Sequence, residues 1–296
     1  MKTKIVTSAK RDKLFDVVVL AFCIITFIII VYPVYFILIA SFSKASDVAR
    51  GNVWIFPTSI CLDGYREVFK SGEIWVGYRN TILYTIVGTI LFLVINMPAA
   101  YALSRKDLKG KKIILFYFMF TMFFNGGMIP TYFTIKSFGL YNTFWVMVLP
   151  FSVNVYNIIV MKSFFDNSIP SSLYDAARID GCSTTRYFIS IVIPLSKAII
   201  AVMTLWTAVS MWNSYFNALL YIKDDGLKPL QLILRNILVK NESMNFTGGT
   251  SQVAVRQLAE VMKYSVIVVS TVPIMCIYPF VQKYFNQGVM IGSVKE

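Results

Sequence analysis

The stretch YDAARIDGCSTTRYFISIVIP, Tyr174 to Pro194, sets four charged side chains, Asp175, Arg178, Asp180 and Arg186, into a chain that is otherwise largely apolar. Its punctuation is that of two short helices joined at a glycine. Pro170, in Ser168-Ile-Pro170, suits a first helical turn, where its missing N–H is not needed. Gly181 suits a helix stop, because glycine enters the left-handed conformation at little cost. Ser183 is placed to cap a second helix with Arg186 in its first turn. Pro194 then marks where this helix bends or begins a membrane course.

The surroundings explain why such an interruption stands out. Hydrophobic residues make up 57% of the 296 residues and charged ones 15%, the reverse of what a soluble domain needs to keep its surface wetted. The expectation is an integral membrane protein. A net charge of +13 needs no nucleic-acid partner, because basic cytoplasmic loops produce the same balance. Cys23, Cys61, Cys182 and Cys276 lie far apart with no metal-ligand spacing, so neither a disulfide framework nor a zinc site is indicated. Histidine is absent, which removes the commonest general base and metal ligand. The basic start MKTKIVTSAKRDK resembles the n-region of a signal peptide. The apolar run Leu14 to Ala40 after it is too long for an h-region, so a retained first span is expected.

A helix crossing about 30 Å of hydrocarbon needs about 20 apolar residues. Six segments qualify: 14–40, 80–103, 113–135, 143–162, 191–221 and 262–284. Backbone groups cannot stay unpaired in lipid, and the alternating pattern of a barrel is missing, so the expected fold class is all-α and polytopic. Orientation follows the basic residues. Lys2, Lys4, Lys10, Arg11 and Lys13 precede the first span; Arg105, Lys106, Lys109, Lys111 and Lys112 follow the second. Six spans put both clusters and both termini on the cytoplasmic side. The resulting division is a tail over 1–13, a permease domain over 14–284 and a tail over 285–296. The charged loop 163–190 is then cytoplasmic, and loops 41–79 and 222–261 lie outside.

The charged helix has two readings. One is an amphipathic helix resting on lipid. The other is a docking helix for a cytoplasmic partner, favoured by the small residues Ala176 and Ala177, by the acidic side chains and by the lack of a bulky apolar face.

DAARIDG, followed by nine residues and then Ile191-Val-Ile-Pro194, resembles the cytoplasmic signature of ABC importer permeases, E-A-A-x-x-x-G with I-x-L-P downstream. Asp175 stands where the family usually has Glu, Cys182 where Ala is common and Ile193 where Leu is common. Asn125-Gly-Gly-Met-Ile-Pro130, Gly139-Leu-Tyr-Asn142 and the ending from Gln282 to Lys295 resemble the maltose-type, complex-saccharide branch. The resemblance implies the type I importer fold with a cytoplasmic coupling helix. In that helix Asp175, Ala176, Ala177, Arg178, Asp180 and Gly181 would meet the ATPase. It also implies a second homologous permease subunit, two cytoplasmic ATPase subunits, an extracellular substrate-binding protein and a carbohydrate substrate, all at the bacterial inner membrane. The tail Gly288 to Glu296 would be a second ATPase contact or a frayed end. The chain lacks G-x-x-x-x-G-K-[ST], since Lys109-Gly-Lys-Lys112 has no glycine loop before it. ATP and Mg would be bound by the partner subunits, with no cofactor or metal in this chain.

Span five carries Trp206, Ser210, Asn213 and Asn217 at spacings of four, three and four, on one helical stripe. Amides and aromatic rings suit sugars, and buried asparagines suit a bundle interior. Helix–helix hydrogen bonding explains them equally well, and the same holds for Asn154 and Asn157 in span four. Asn125, in its Gly- and Pro-rich break, would open backbone toward a cavity or mark a kink. Charged groups within spans are limited to edge positions such as Lys197 and Lys263, which favours a neutral cargo and external energy. The outer loop with Gly248-Gly249 would meet the binding protein. The reading is therefore a non-enzymatic permease subunit of an ATP-driven sugar importer. Its rivals are an ABC permease for another cargo and an ATP-independent channel or secondary carrier.

Overall fold

A computed structural model describes residues 6–246, 261–276 and 279. Among them the chain is helical, and the one β contact is an isolated bridge between Ser43 and Ile60. It forms two compact units, residues 1–71 with 237–270, and residues 72–236 with 271–296.

In the first unit, α1 (Val6–Ser41) is followed by α2 (Ala45–Ala49) and α3 (Asp63–Lys70). From Phe15 to Val34 the apolar side chains of α1 are almost all exposed, as a helix facing lipid or another subunit requires. Its last turns pack: Ile39 and Ala40 form a small core with Val48, Val53 and Val261, the last from α14 (Val261–Cys276).

The second unit is built around α4 (Gly72–Ser104), 33 residues and so about 50 Å long. That exceeds the hydrocarbon thickness, and its first turns make polar contacts instead. Asn80 donates to the carbonyls of Gly226 and Lys228 at 2.8 and 3.0 Å, and Tyr84 donates to that of Leu227 at 2.8 Å. Asn142, at φ +57°, accepts from the N–H groups of Lys223 and Asp224. The segment 222–230 is thus pinned before α13 (Leu230–Phe246) begins. Along its middle, α4 packs on α7 (Val155–Ser168) and α11 (Lys197–Trp212), where Gly88 lets Met211 approach closely.

By length and composition, α1 (over Phe15–Ser41) and α4 can each cross a membrane among the described residues. Three expected spans are broken. The segment 113–135 is α5 (Lys111–Phe123) and α6 (Met128–Ser137), bent by 112°. Asn125 Oδ1 accepts from the Gly127 N–H at 2.7 Å, and Gly127 sits at φ +86°, so the ladder stops there. The segment 143–162 begins as a 3-10 turn, Phe144–Met147, and becomes α-helical only at Val155, where Asn154 caps it. In 191–221 an 80° bend separates Thr184–Leu195 from α11. Pro194 lacks the N–H the ladder needs, and a π-helical turn over Phe188–Val192 precedes it. The last expected span is helical over Val261–Cys276, and apart from residue 279 the rest of it lies outside the described residues.

Candidate coupling helix and polar cleft

The charged stretch folds as its punctuation dictates. α8 (Ser171–Ile179) starts directly after Pro170. It closes in a Schellman motif: Cys182 N–H donates to the Ala177 carbonyl at 2.8 Å, Gly181 N–H to that of Arg178 at 3.1 Å, and Gly181 sits at φ +72°. Ser183 Oγ then accepts from the Arg186 N–H at 3.3 Å and caps α9 (Thr184–Tyr187), as expected. Such a cap contributes about 1 kcal/mol. Past the π turn, α10 (Ile193–Leu195) leads to the bend.

Asp175, Ala176, Arg178 and Asp180 are exposed along α8, while Ala177 is buried. One expectation is corrected: Leu173 and Ile179 are bulky and project outward, Ile179 being 86% exposed. With Ala176 between them at spacing three, they form a narrow apolar stripe flanked by charge.

Beneath α8 lies a cleft of about 420 Å³ that the sequence did not announce. Its walls include Tyr101, Arg105, Asp107, Tyr174, Asp175, Arg178 and Tyr187. Arg105 follows the last residue of α4. Its Nε and Nη2 donate to the two oxygens of Asp107 at 2.7 and 2.5 Å, and Nη1 donates to the Tyr101 hydroxyl at 3.1 Å. Its guanidinium carbon stands 3.6 Å from the centre of the Tyr174 ring. The Asp107 carboxylate raises the Arg105 pKa, and Arg105 in turn holds the Asp107 carboxyl below its ordinary range. Burial pushes the Tyr187 phenol up, and its hydroxyl has no partner. The cationic run after α4 signalled orientation and hid this role of one of its members.

A second cleft, of about 320 Å³, gathers five of the seven polar residues singled out in the sequence: Asn154, Asn157, Trp206, Ser210 and Asn217. Ser214, Thr207, Phe92, Met147 and Phe151 complete much of its wall, and among the described residues no charged side chain lines it. The Thr207 hydroxyl is buried without a partner. Asn217 reaches the cleft from α12 (Phe216–Tyr221), because α11 ends at Trp212 and the predicted stripe is not one helix. Asn213 lines an adjoining, mainly apolar groove with Val202, Leu205 and Val209, which shares Trp206 and Ser210 with the cleft. Asn125 stays at the α5–α6 break, outside this cleft.

A residue passed over in the sequence holds this cleft's rim. Asn96, fully buried in α4, donates to the carbonyls of Phe92 and Ser152 at 2.7 and 2.6 Å and accepts from the Asn154 N–H at 3.0 Å. It thereby fixes the non-helical segment from which α7 starts. A lone amide in an apolar run is its sequence signal.

Residues 74–291 match the family described as "Binding-protein-dependent transport system inner membrane component". The chain belongs to this family. As such a transport permease it resembles two proteins of Bacillus subtilis strain 168. It is 38% identical to the polygalacturonan/rhamnogalacturonan transport system permease protein YtcP, covering 96% of this chain and 99% of that one. It is 39% identical to Protein LplC, covering 97% of each. A chain in the crystal structure of a bacterial ABC transporter involved in the import of the acidic polysaccharide alginate superposes with a TM-score of 0.85 at 31% identity. That match covers 96% of this permease and all of its counterpart. The fold is that of type I ABC permeases, and the permease is a membrane protein.

Proposed function

We propose that this permease carries sugars, as oligosaccharides or fragments of polysaccharides, into a bacterial cell as part of an ATP-driven importer. Two lines support the cargo class: relatives named for polysaccharide transport, and a cleft whose lining includes amide, hydroxyl and aromatic groups. Amides exchange hydrogen bonds with hydroxyls, and Trp206 offers a ring face.

In this proposal α8 docks on a cytoplasmic ATPase through Asp175, Ala176, Ala177, Arg178, Asp180 and Gly181. The observation that carries the reading is the cap of α8, two backbone bonds closed over Gly181 at φ +72°, which presents a short rigid helix instead of a loose loop. A second permease, two ATPase subunits and an extracellular binding protein would complete the assembly. ATP and Mg would be held by the ATPases, both termini would lie in the cytoplasm, and this chain would perform no covalent chemistry. The tail from Gly288 to Glu296 and the loop around Gly248-Gly249 lie outside the described residues. ATP binding would draw the ATPases together, displace α8 and open the pathway outward to the loaded binding protein, a shift between two populated states.

The test is co-purification from detergent followed by reconstitution. The proposal requires ATPase subunits in the complex and uptake of labelled oligosaccharide that depends on ATP and binding protein. Uptake by this chain alone would instead make it a channel or secondary carrier, and a complex importing only peptides or amino acids would refute the cargo.

A further inference from the structure

On the inward side of α8, Ala177 is buried and Tyr174 is half-buried. Ala177 offers one methyl group; Tyr174 is the larger contact. One face of its ring is covered by the Arg105 guanidinium at 3.6 Å, and the Tyr187 ring meets it edge-on at 5.2 Å. Arg105 itself is held along its edges by Asp107 and the Tyr101 hydroxyl, which leaves its flat face free to stack. Its side chain is only 14% exposed, unlike a cation that serves orientation alone. Tyr101 is an α4 residue, stacked on Phe188 at 4.9 Å and edge-on to Phe165 of α7 at 6.3 Å. Arg105 is therefore joined to α4 by the chain and by Tyr101, and to α8 by the stack on Tyr174.

This linkage ends at the polar cleft. Phe92 lies nine residues before Tyr101 on α4, about 14 Å along the helix axis, and lines that cleft. A displacement of α4 moves one of its walls.

We infer that Arg105 is a positioning residue that ties α8 to α4, so that movement of the docking helix is carried to the polar cleft. The inference rests on the proposed docking of α8. The chemistry demands arginine: a planar guanidinium can hold a carboxylate with two donors while stacking on a ring, and an ammonium cannot do both. A role in membrane orientation alone would be served equally by lysine.

The experiment uses the whole transporter in proteoliposomes and reads the number of ATP molecules hydrolysed per sugar imported. In R105A and R105K, with subunits assembled as in wild type, hydrolysis continues and uptake falls, raising that ratio by about tenfold, within the usual range of coupling between sites. An unchanged ratio in R105A overturns the tie, and so does wild-type coupling in R105K. Should R105A fail to assemble, Y174L decides. It keeps the bonds of Arg105 to Asp107 and Tyr101 and removes the stacked ring, so the ratio must rise, and an unchanged ratio overturns the tie. Cross-linking of an I179C variant to the ATPase separates the two levels. A cross-link with an unchanged ratio refutes the tie alone, whereas its absence refutes the docking beneath it.

Discussion

Replacing Gly181 isolates the backbone term at the end of α8. A Cβ built there meets nothing within 4 Å, so a substitution is penalised by its backbone conformation and by no neighbour. At φ +72°, alanine costs about 1–2 kcal/mol relative to glycine, and valine more, because a branched Cβ crowds the carbonyl further. Relief of that strain requires giving up the bonds from Cys182 to Ala177 and from Gly181 to Arg178. A penalty of 1–2 kcal/mol lowers the ratio of capped to uncapped elbow by roughly 5- to 30-fold. Asparagine visits the left-handed region readily and should stay near wild type. Measured as sugar uptake at matched membrane abundance, the order should be Gly, then Asn, then Ala, then Val, with Gly181→Val abolishing uptake. Membrane insertion should be unaffected throughout. Wild-type uptake by Gly181→Val would refute the reasoning. An Asn variant as damaged as Val would show that side-chain size, not φ, is what matters.

Three further outcomes follow from individual contacts. Asn96→Ala removes three hydrogen bonds at a buried site and leaves the Ser152 carbonyl and Asn154 N–H without it. At about 1 kcal/mol each, the loss of about 3 kcal/mol should lower the thermal unfolding midpoint of the purified complex. Trp206→Ala should weaken sugar binding to the complex about tenfold, or 1.4 kcal/mol, with Trp206→Phe intermediate, as read by calorimetric titration. The Asp107 carboxyl is held below its ordinary value of about 3.9, so its bond to Arg105 is complete above that pH and fades only as pH falls through the lower folded value. The difference in ATP hydrolysed per sugar between wild type and Asp107→Asn should therefore be constant between about pH 8 and pH 5.5; a difference that titrates inside that window would exclude Asp107 as the anchoring group.

Much of the elbow was legible because its signals are local. Gly181 and Ser183 act on backbone within one turn and occupy the expected cap positions, while Pro170, expected in the first turn, stands just before it at the N-cap. The all-α membrane fold was legible from long apolar runs. The breaks near Asn125–Gly127 and Pro194 were signalled by glycine and proline, whereas the non-helical start of the fourth expected span, ahead of Asn154, was not. The polar stripe was partly legible. Trp206, Ser210 and Asn217 do share a cleft with Asn154 and Asn157, and Asn213 lines an adjoining groove beside Trp206 and Ser210, but Asn217 stands on α12, because α11 ends at Trp212. Arg105 and Asn96 were hidden for a different reason. Their partners lie far along the chain, 69 residues on at Tyr174 and 56 on at Ser152, and no local pattern encodes such a contact.

Cysteine cross-linking across the docking surface bears most directly on the whole account. With Cys23, Cys61, Cys182 and Cys276 replaced by serine, a cysteine at Ile179, the most exposed apolar position of α8, should join to an ATPase subunit in the intact transporter, with a yield that changes when ATP binds. The contradictory result is a residue 179 cysteine that never meets an ATPase and is modified by a membrane-impermeant maleimide added outside the cell.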